Sequence, residues 1–536
     1  MHDYDAIVIG SGSGGLTAAL ALARAGRRVV VFEQHYLPGG YSQSFELSGF
    51  RFSPGIHYVG ALRPGGTLRR VYEGLGVAND LEFFELNRDG YDHVVVGTER
   101  FDIPAGKARF AERLKQRFPS ESAGIDHYFD VIGRIADELG WAAPIHGLRE
   151  AAAMALHVPT LLRHGLTPLA HFLDGCTRDP LLRAILSIQA GDHGMAPSRA
   201  PTALHAGLQA YYFDGGCYPR GGGHLIPETL SRHIVAHGGE VVLRTPVERI
   251  LIEDGRAVGV RLGDGREVRA PIVVSNADPG VTWGRLVPPE HVGWLLRKRI
   301  EHLHFSVSTL SLFMAVDMDL RAAGLDSGNV WFSRTSDIDA SYEYAARATL
   351  TGREEIPGIF FNATTLKDPT MRGDGIHTVE AMAISSVDPF ARWQDLPPGK
   401  RGDDYRQLKL DLTERILDAV DCFVPGLRAR TVFRALGTPL TNVRFLNATR
   451  GGIYGTEKTL GNLGPFGFDV ATHIPGLFQC GASTLAPGIN GVTHSGLSAA
   501  AAALGCTPDD LLTATGQGLR IYSAEDRASW PENARR

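Results

Sequence analysis

The chain has 536 residues, 43% of them hydrophobic and 21% charged, with a formal net charge of −5 at pH 7. That is the composition of an ordinary globular enzyme, not of a disordered or fibrous chain. With no lysine or arginine run, nucleic acid is not an expected partner. The length exceeds what one hydrophobic core serves, so two intimately packed domains are expected.

In chain order, residues 5–9, apolar after Asp5, predict a buried strand. Gly10, Gly12, Ser13, Gly14 and Gly15 follow as a tight turn, residues 16–25 as a small-residue helix ended by Gly26, and residues 28–32 as a second strand closed by Glu33. Each position has a chemical use. Gly10 permits the turn, Gly12 lets backbone approach a pyrophosphate, Gly15 lets helix and strand pack closely, and the helix N-terminus offers free N–H groups to an anion. Glu33 follows Gly15 by 18 residues, the spacing at which an acid accepts hydrogen bonds from a ribose. A glycine turn alone is weak evidence. A strand before it, a helix after it and an acid at this distance make it a dinucleotide fingerprint.

A second turn follows at Gly39 and Gly40, then a short strand at residues 50–52. Residues 76–214 read as helices mixed with loops. Residues 218–223 introduce a helix over 226–237 that stops at Gly238 and Gly239. Strands are predicted at 240–243, 247–253, 257–262 and 272–275, punctuated by the hairpin pairs Asp254-Gly255 and Asp264-Gly265. An alternating strand at 306–314 and a helix at 408–420 belong to a second domain. Residues 475–482, including Gly481, read as strand and turn. Asn490, Gly491 and Val492 lead into a helix over 493–504, thinned by alanines and carrying partial positive charge at its start. The residues after 517 read as a solvated tail. No tandem repeat or low-complexity tract is present.

Cys176, Cys217, Cys422, Cys480 and Cys506 are odd in number, scattered and without a Cys-x-x-Cys pair. They suggest a reducing compartment, with no metal site and no disulfide framework. The first strand starts near Met1, and no apolar run reaches the ~18 residues that cross a bilayer. A cytoplasmic location is therefore expected.

Gly10 to Gly15, Glu33-Gln34-His35, Gly39-Gly40, residues 55–60, Tyr218-Pro219-Arg220-Gly221-Gly222 and Thr438-Pro439-Leu440-Thr441 together resemble the phytoene desaturase-related FAD oxidoreductases, and within them the branch of retinol saturases and carotenoid isomerases. The resemblance spans nearly the whole chain. It implies an α/β fold: a Rossmann-like FAD-binding domain of the glutathione reductase type (residues 1–75, 215–290 and 455–515) with an interleaved α+β substrate domain (76–214 and 291–454) and a tail at 516–536. It further implies FAD as cofactor and redox or isomerising chemistry on the carbon–carbon double bonds of a hydrophobic polyene or isoprenoid. Gly39 and Gly40 would pass beneath the flavin's ribityl or phosphate region, Val247 would meet the adenine through its backbone, and Gln34, Gly481, Asn490, Gly491 and Val492 would contact FAD.

Such chemistry asks little of side chains beyond a proton source, because hydride moves at flavin N5. His57 and Tyr58 are candidates, since they follow the strand that leaves the Gly39-Gly40 turn. The alternative is that His57 bonds a backbone carbonyl and Tyr58 fills the core. His193, in the Gly191-Asp192-His193-Gly194 stretch, is a third candidate. A second nucleotide fingerprint would favour direct reduction by NAD(P)H, and none of comparable quality is present. The electron partner is expected to be quinone, oxygen or NAD(P)H, or electrons circulate without net redox change in an isomerase. Residues 151–173 interleave leucines with Arg163, His164 and His171, which gives either an interfacial element touching the inner membrane face or an ordinary lid helix, broken by Pro159 and Pro168. Two other classes stay open: an amine oxidase-like FAD oxidase, and a flavin-free prenyl-binding protein like the Rab GDP-dissociation inhibitors. The intact glycine set argues against the second.

Overall fold

The computed structural model describes residues 2–140, 156–347, 354–513, 516, 518–530 and 532. The fully buried strand Ala6–Ile9 is the centre of a five-stranded sheet. Its order is Leu477–Gln479, Ile272–Ser275, Ala6–Ile9, Val29–Phe32 and Glu240–Val242, and every neighbouring pair is parallel. Strands covered on both faces must be apolar, which is why the central Ala6–Ile9 and Val29–Phe32 are apolar throughout and wholly buried, while the edge strand Glu240–Val242 begins with an exposed glutamate. An antiparallel sheet of Val247–Glu253, Arg256–Leu262 and Glu267–Arg269 lies alongside in sequence.

Two helices start earlier than their patterns suggest. The first spans Ser13–Arg24 and the last Gly488–Leu504, so residues read as loop form their opening turns. Glycine lowers helix propensity, but here packing outweighs it. A Cβ on Gly496 would stand 2.0 Å from the Gly14 carbonyl oxygen, so glycine at that point lets the last helix press onto the start of the first.

The second large layer is a seven-stranded sheet in the order Thr431–Gly437, Ser308–Val316, His377–Ser385, Gly358–Ala363, Asn329–Ser333, Asp92–Val96 and Glu99–Ile103. Residues 76–214 therefore supply strands as well as helices, contrary to the expectation. The turn joining Asp92–Val96 to Glu99–Ile103 is Gly97-Thr98, with Gly97 at φ +60°. It has the positive φ of a tight hairpin without the Asn-Gly or Asp-Gly signature. The tail also departs from expectation. Arg520–Ser523 is a strand parallel to Glu82–Glu85, and Phe84 meets Tyr522 at 6.0 Å and Trp530 at 5.8 Å between ring centroids. Aromatic contacts anchor a segment whose charges suggested solvation.

Among the described residues, no helix is long and apolar enough to cross a membrane. Of the 151–173 segment, residues 151–155 lie outside the described residues. Leu156 is 82% exposed, Leu162 and Leu166 are about half exposed, and Leu169, Phe172 and Leu173 are core.

Candidate active site

A cavity of about 680 Å³ runs along the C-terminal ends of the parallel strands, where open α/β sheets bind their ligands. Gly10, Gly12, Ser13, Gly14, Glu33, Gln34, Gly39, Gly40, Val247, Gly481 and Val492 line it. Gly15 is off the wall. A Cβ there would lie 2.2 Å from the Gly10 carbonyl oxygen, so its role is the close turn-to-helix contact. Gly39 and Gly40 hold φ of +119° and +56°, a left-handed pair that residues with a side chain rarely adopt. No side chain caps the helix that begins at Ser13, which leaves its first N–H groups for an anion.

The Glu33 carboxylate ties this cradle together. One oxygen accepts from Ser11 N at 2.8 Å and Ser11 Oγ at 2.7 Å, and the other accepts from His35 N at 2.8 Å. Gly39 N donates in turn to Ser11 Oγ at 3.1 Å. Asn490 and Gly491 do not line the cavity. Asn490 Oδ1 accepts from Thr67 Oγ1 at 3.2 Å, and a Cβ on Gly491 would lie 2.3 Å from the Ala486 carbonyl oxygen. Asn276 was missed by sequence reasoning. Its side chain would meet a Cβ at Gly12 at 2.6 Å and one at Gly14 at 2.9 Å, so it fills the space the glycines leave. The available signal was its position directly after the buried strand Ile272–Ser275.

A second, mainly apolar cavity of about 210 Å³ opens from the first. Ile188, Trp331, Phe360, Met382, Ile384 and Ile489 form much of its wall, and it shares Tyr41, Ser42, Ile453, Ala482 and Val492 with the cradle. A flavin with its adenine and phosphates in the long groove would therefore present its ring at the mouth of a greasy chamber. The shape and donors of the groove fit FAD: a narrow glycine-walled channel, an uncapped helix start and a carboxylate at the ribose end.

The three residues considered as proton sources occupy different places. His57 is on the chamber wall. Tyr58 does not line the chamber: its ring is stacked on Tyr212 at 4.2 Å and its hydroxyl is bonded to Asp192 Oδ2 at 2.5 Å and Asp92 Oδ2 at 3.2 Å. His193 is 2% exposed, with both ring nitrogens unpartnered and its ring 6.0 Å from that of His205. Its neighbour Asp192 reaches the chamber instead.

Behind this wall lies a buried polar network that sequence reading did not find. His57 Nδ1 is 3.3 Å from Glu380 Oε2, and Glu380 Oε1 accepts from Ser53 N at 2.8 Å. Lys367 Nζ donates to the His57 carbonyl and to Asn329 Oδ1, each at 2.6 Å. Asn329 and Gln189 donate to the two oxygens of Asp92 at 2.7 and 2.6 Å. Burial dominates the titration of these groups by disfavouring charge. It pushes Asp92 up to about 6, Asp192 up to about 8 and Lys367 down to about 7, and it lowers His57 despite the adjacent Glu380. One signal was available: Glu380 is a charged residue set between Val379 and the apolar run 381–384 in the strand His377–Ser385.

A dinucleotide groove on a parallel sheet, opening into an apolar chamber, defines a flavin-dependent oxidoreductase. The family described as flavin containing amine oxidoreductase matches residues 13–504, and the chain belongs to it, with FAD as its cofactor. The chain is 32% identical over 479 residues to the all-trans-retinol 13,14-reductase of Danio rerio, covering 85% of this chain and 78% of that protein. It is 28% identical over 512 residues to the chloroplastic prolycopene isomerase of Arabidopsis thaliana, covering 93% and 82%. Among solved structures, cyclohexylamine oxidase from Brevibacterium oxydans IH-35A shares the fold, with a TM-score of 0.62 at 18% identity over 95% of this chain and 99% of that one.

Proposed function

We propose that this FAD enzyme acts on carbon–carbon double bonds of an apolar polyene or isoprenoid, and that saturation is its reaction. The observation that carries the reading is the chamber: an apolar cavity whose mouth is walled by residues of the cofactor groove. Bound flavin supplies or accepts hydride at N5. The chain's own contribution is placement and dryness. Trp331, Phe360 and Met382 receive the hydrocarbon and exclude water, and Tyr41, whose hydroxyl donates to the Gly452 carbonyl at 3.1 Å, holds the shared mouth rigid. Similarity to a prolycopene isomerase favours double-bond isomerisation as the second reading.

Within this reading, residues 1–75, 215–290 and 455–515 form the cofactor domain, and 76–214 and 291–454 the substrate domain. Gly12, Ser13 and Gly14 face the pyrophosphate, Glu33 the ribose, Val247 the adenine, and Val492 the ring. A lipid-soluble substrate has to be collected from a membrane surface, and the exposed Leu156, Leu162 and Leu166 beside Arg163 and His164 are the contact.

The test is anaerobic incubation of flavin-reduced protein with retinoids, carotenoids, prenyl lipids and amines, with products identified by mass. Loss of a polyene double bond with flavin reoxidation supports the proposal. Oxidation of amines by the oxidised protein, with inertness toward every polyene, overturns it. Reduction by NAD(P)H and reoxidation by quinone or oxygen, followed in the same preparation, identify the electron partner. Co-flotation with anionic vesicles, reduced in Leu162→Ser, tests membrane contact.

A further inference from the structure

Resting on the reading of the chamber as a double-bond site, we propose that Asp192 is the proton donor of the reaction and that Tyr58 and Asp92 form the path by which it is reprotonated. Asp192 is the acidic member of the buried network that lines the chamber. Its Oδ2 is held by the Tyr58 hydroxyl at 2.5 Å, and no described residue hydrogen-bonds its Oδ1. One oxygen is therefore fixed by the protein while the other is free for substrate. Tyr58 extends the connection to Asp92, which Asn329 links to Lys367.

The balance is simple. One alkene carbon takes hydride, an electron pair with its hydrogen, from reduced flavin. The π bond breaks, and the second carbon takes the proton of the Asp192 carboxylic acid. Two C–H bonds form, the flavin ends oxidised, and Asp192 is left as carboxylate. It regains a proton, drawn from water, through Tyr58, whose hydroxyl passes its own proton to Asp192 and takes one back by way of Asp92.

The surroundings suit an acid that stays protonated near neutrality. Burial first, and then the charge of Asp92, raise Asp192 to about 8, against smaller opposing effects of Tyr58 and Lys367. The other ionisable groups that face it are the phenols Tyr91, Tyr211, Tyr212, Tyr342 and Tyr454, which burial keeps neutral. His57 shares the wall, but burial lowers its pKa and so disfavours the imidazolium, and its Nδ1 faces Glu380, which makes it the weaker acid of the two.

Infrared spectroscopy of cofactor-stripped protein, wild type against Asp192→Asn, reads the acid without turnover. A protonated-carboxyl band at pH 7, lost in the variant and titrating near pH 8, supports the proposal. Its absence from wild type overturns it. In the holoenzyme, Asp192→Asn should keep bound FAD but lose ~100-fold or more in polyene saturation, and Asp192→Glu should recover part of it. Tyr58→Phe should slow repeated turnover more than the first one. Wild-type turnover in Asp192→Asn overturns the proposal. Inertness of the wild type toward all polyenes sinks the substrate reading instead, and the infrared result then decides the assignment of Asp192 by itself.

Discussion

The cofactor groove is made almost entirely of backbone and small side chains, whereas the rear wall of the chamber is held by a network of buried charged and amide groups. The groove needs space and N–H groups, and glycine supplies both by omission. The chamber needs apolar surface with polar groups at a few points, and each of those must be satisfied by partners brought from distant strands. The two regions should therefore fail in different ways: the groove by steric collision, the wall by unpaired polarity and by pH.

The largest effect is expected from Gly15→Val. Its Cβ would meet the Gly10 carbonyl oxygen at 2.2 Å, and fixed backbone cannot yield cheaply. A loss above ~3 kcal/mol should leave little folded protein and no retained FAD, checked by flavin absorbance after purification. Lys367→Met should fold yet lose about 3 kcal/mol in denaturant unfolding, because Asn329 Oδ1 and the His57 carbonyl lose their donor.

The buried pair His193 and His205 should also show acid sensitivity. Burial lowers His205 to about 4 from an ordinary 6.5. Between those values the unfolded chain binds the extra proton, so this contribution is full above pH 6.5 and is lost as pH falls toward about 4. The stability difference between wild type and His205→Gln, followed by unfolding at each pH, should shrink by about 3 kcal/mol across that window. Asp92 and Asp192, raised by burial, act in the opposite sense, which is why the difference and not the raw profile is the measure.

Smaller effects sharpen the contrast within the groove. Glu33→Gln weakens charge-assisted bonds to Ser11 and His35 as well as the proposed bond to the ribose. FAD affinity of the stripped protein, titrated by fluorescence, should fall about tenfold. Asn490→Ala should change that affinity by less than about twofold, since its side chain bonds Thr67 at an exposed position away from the groove. A large loss would place Asn490 on the cofactor after all.

How much could be read without coordinates follows the same division. Gly10 to Gly15, Glu33 and the two flanking strands lie within one contiguous stretch, and their spacing carries their chemistry. The strand Val247–Glu253 was placed to the residue, since hydrophobic pattern and hairpin punctuation agree there. The early starts of the first and last helices were hidden by their glycines, and the strand Arg520–Ser523 by its charged surroundings. Of the chamber, His57 was found because a turn points toward it. Asp92, Asp192, Asn329, Lys367 and Glu380 carry no mutual spacing.

The sequence by itself determined the nucleotide groove, the parallel sheet beneath it and the family, because a strand–turn–helix unit is a local object whose geometry follows from residue types in fixed order. Only the tertiary structure decided where His57, Tyr58 and His193 lie and that Asp192 joins a buried hydrogen-bond network. Partners from six separate segments meet there, and the free energy of burying charge depends on that meeting rather than on anything a neighbour in the chain can specify.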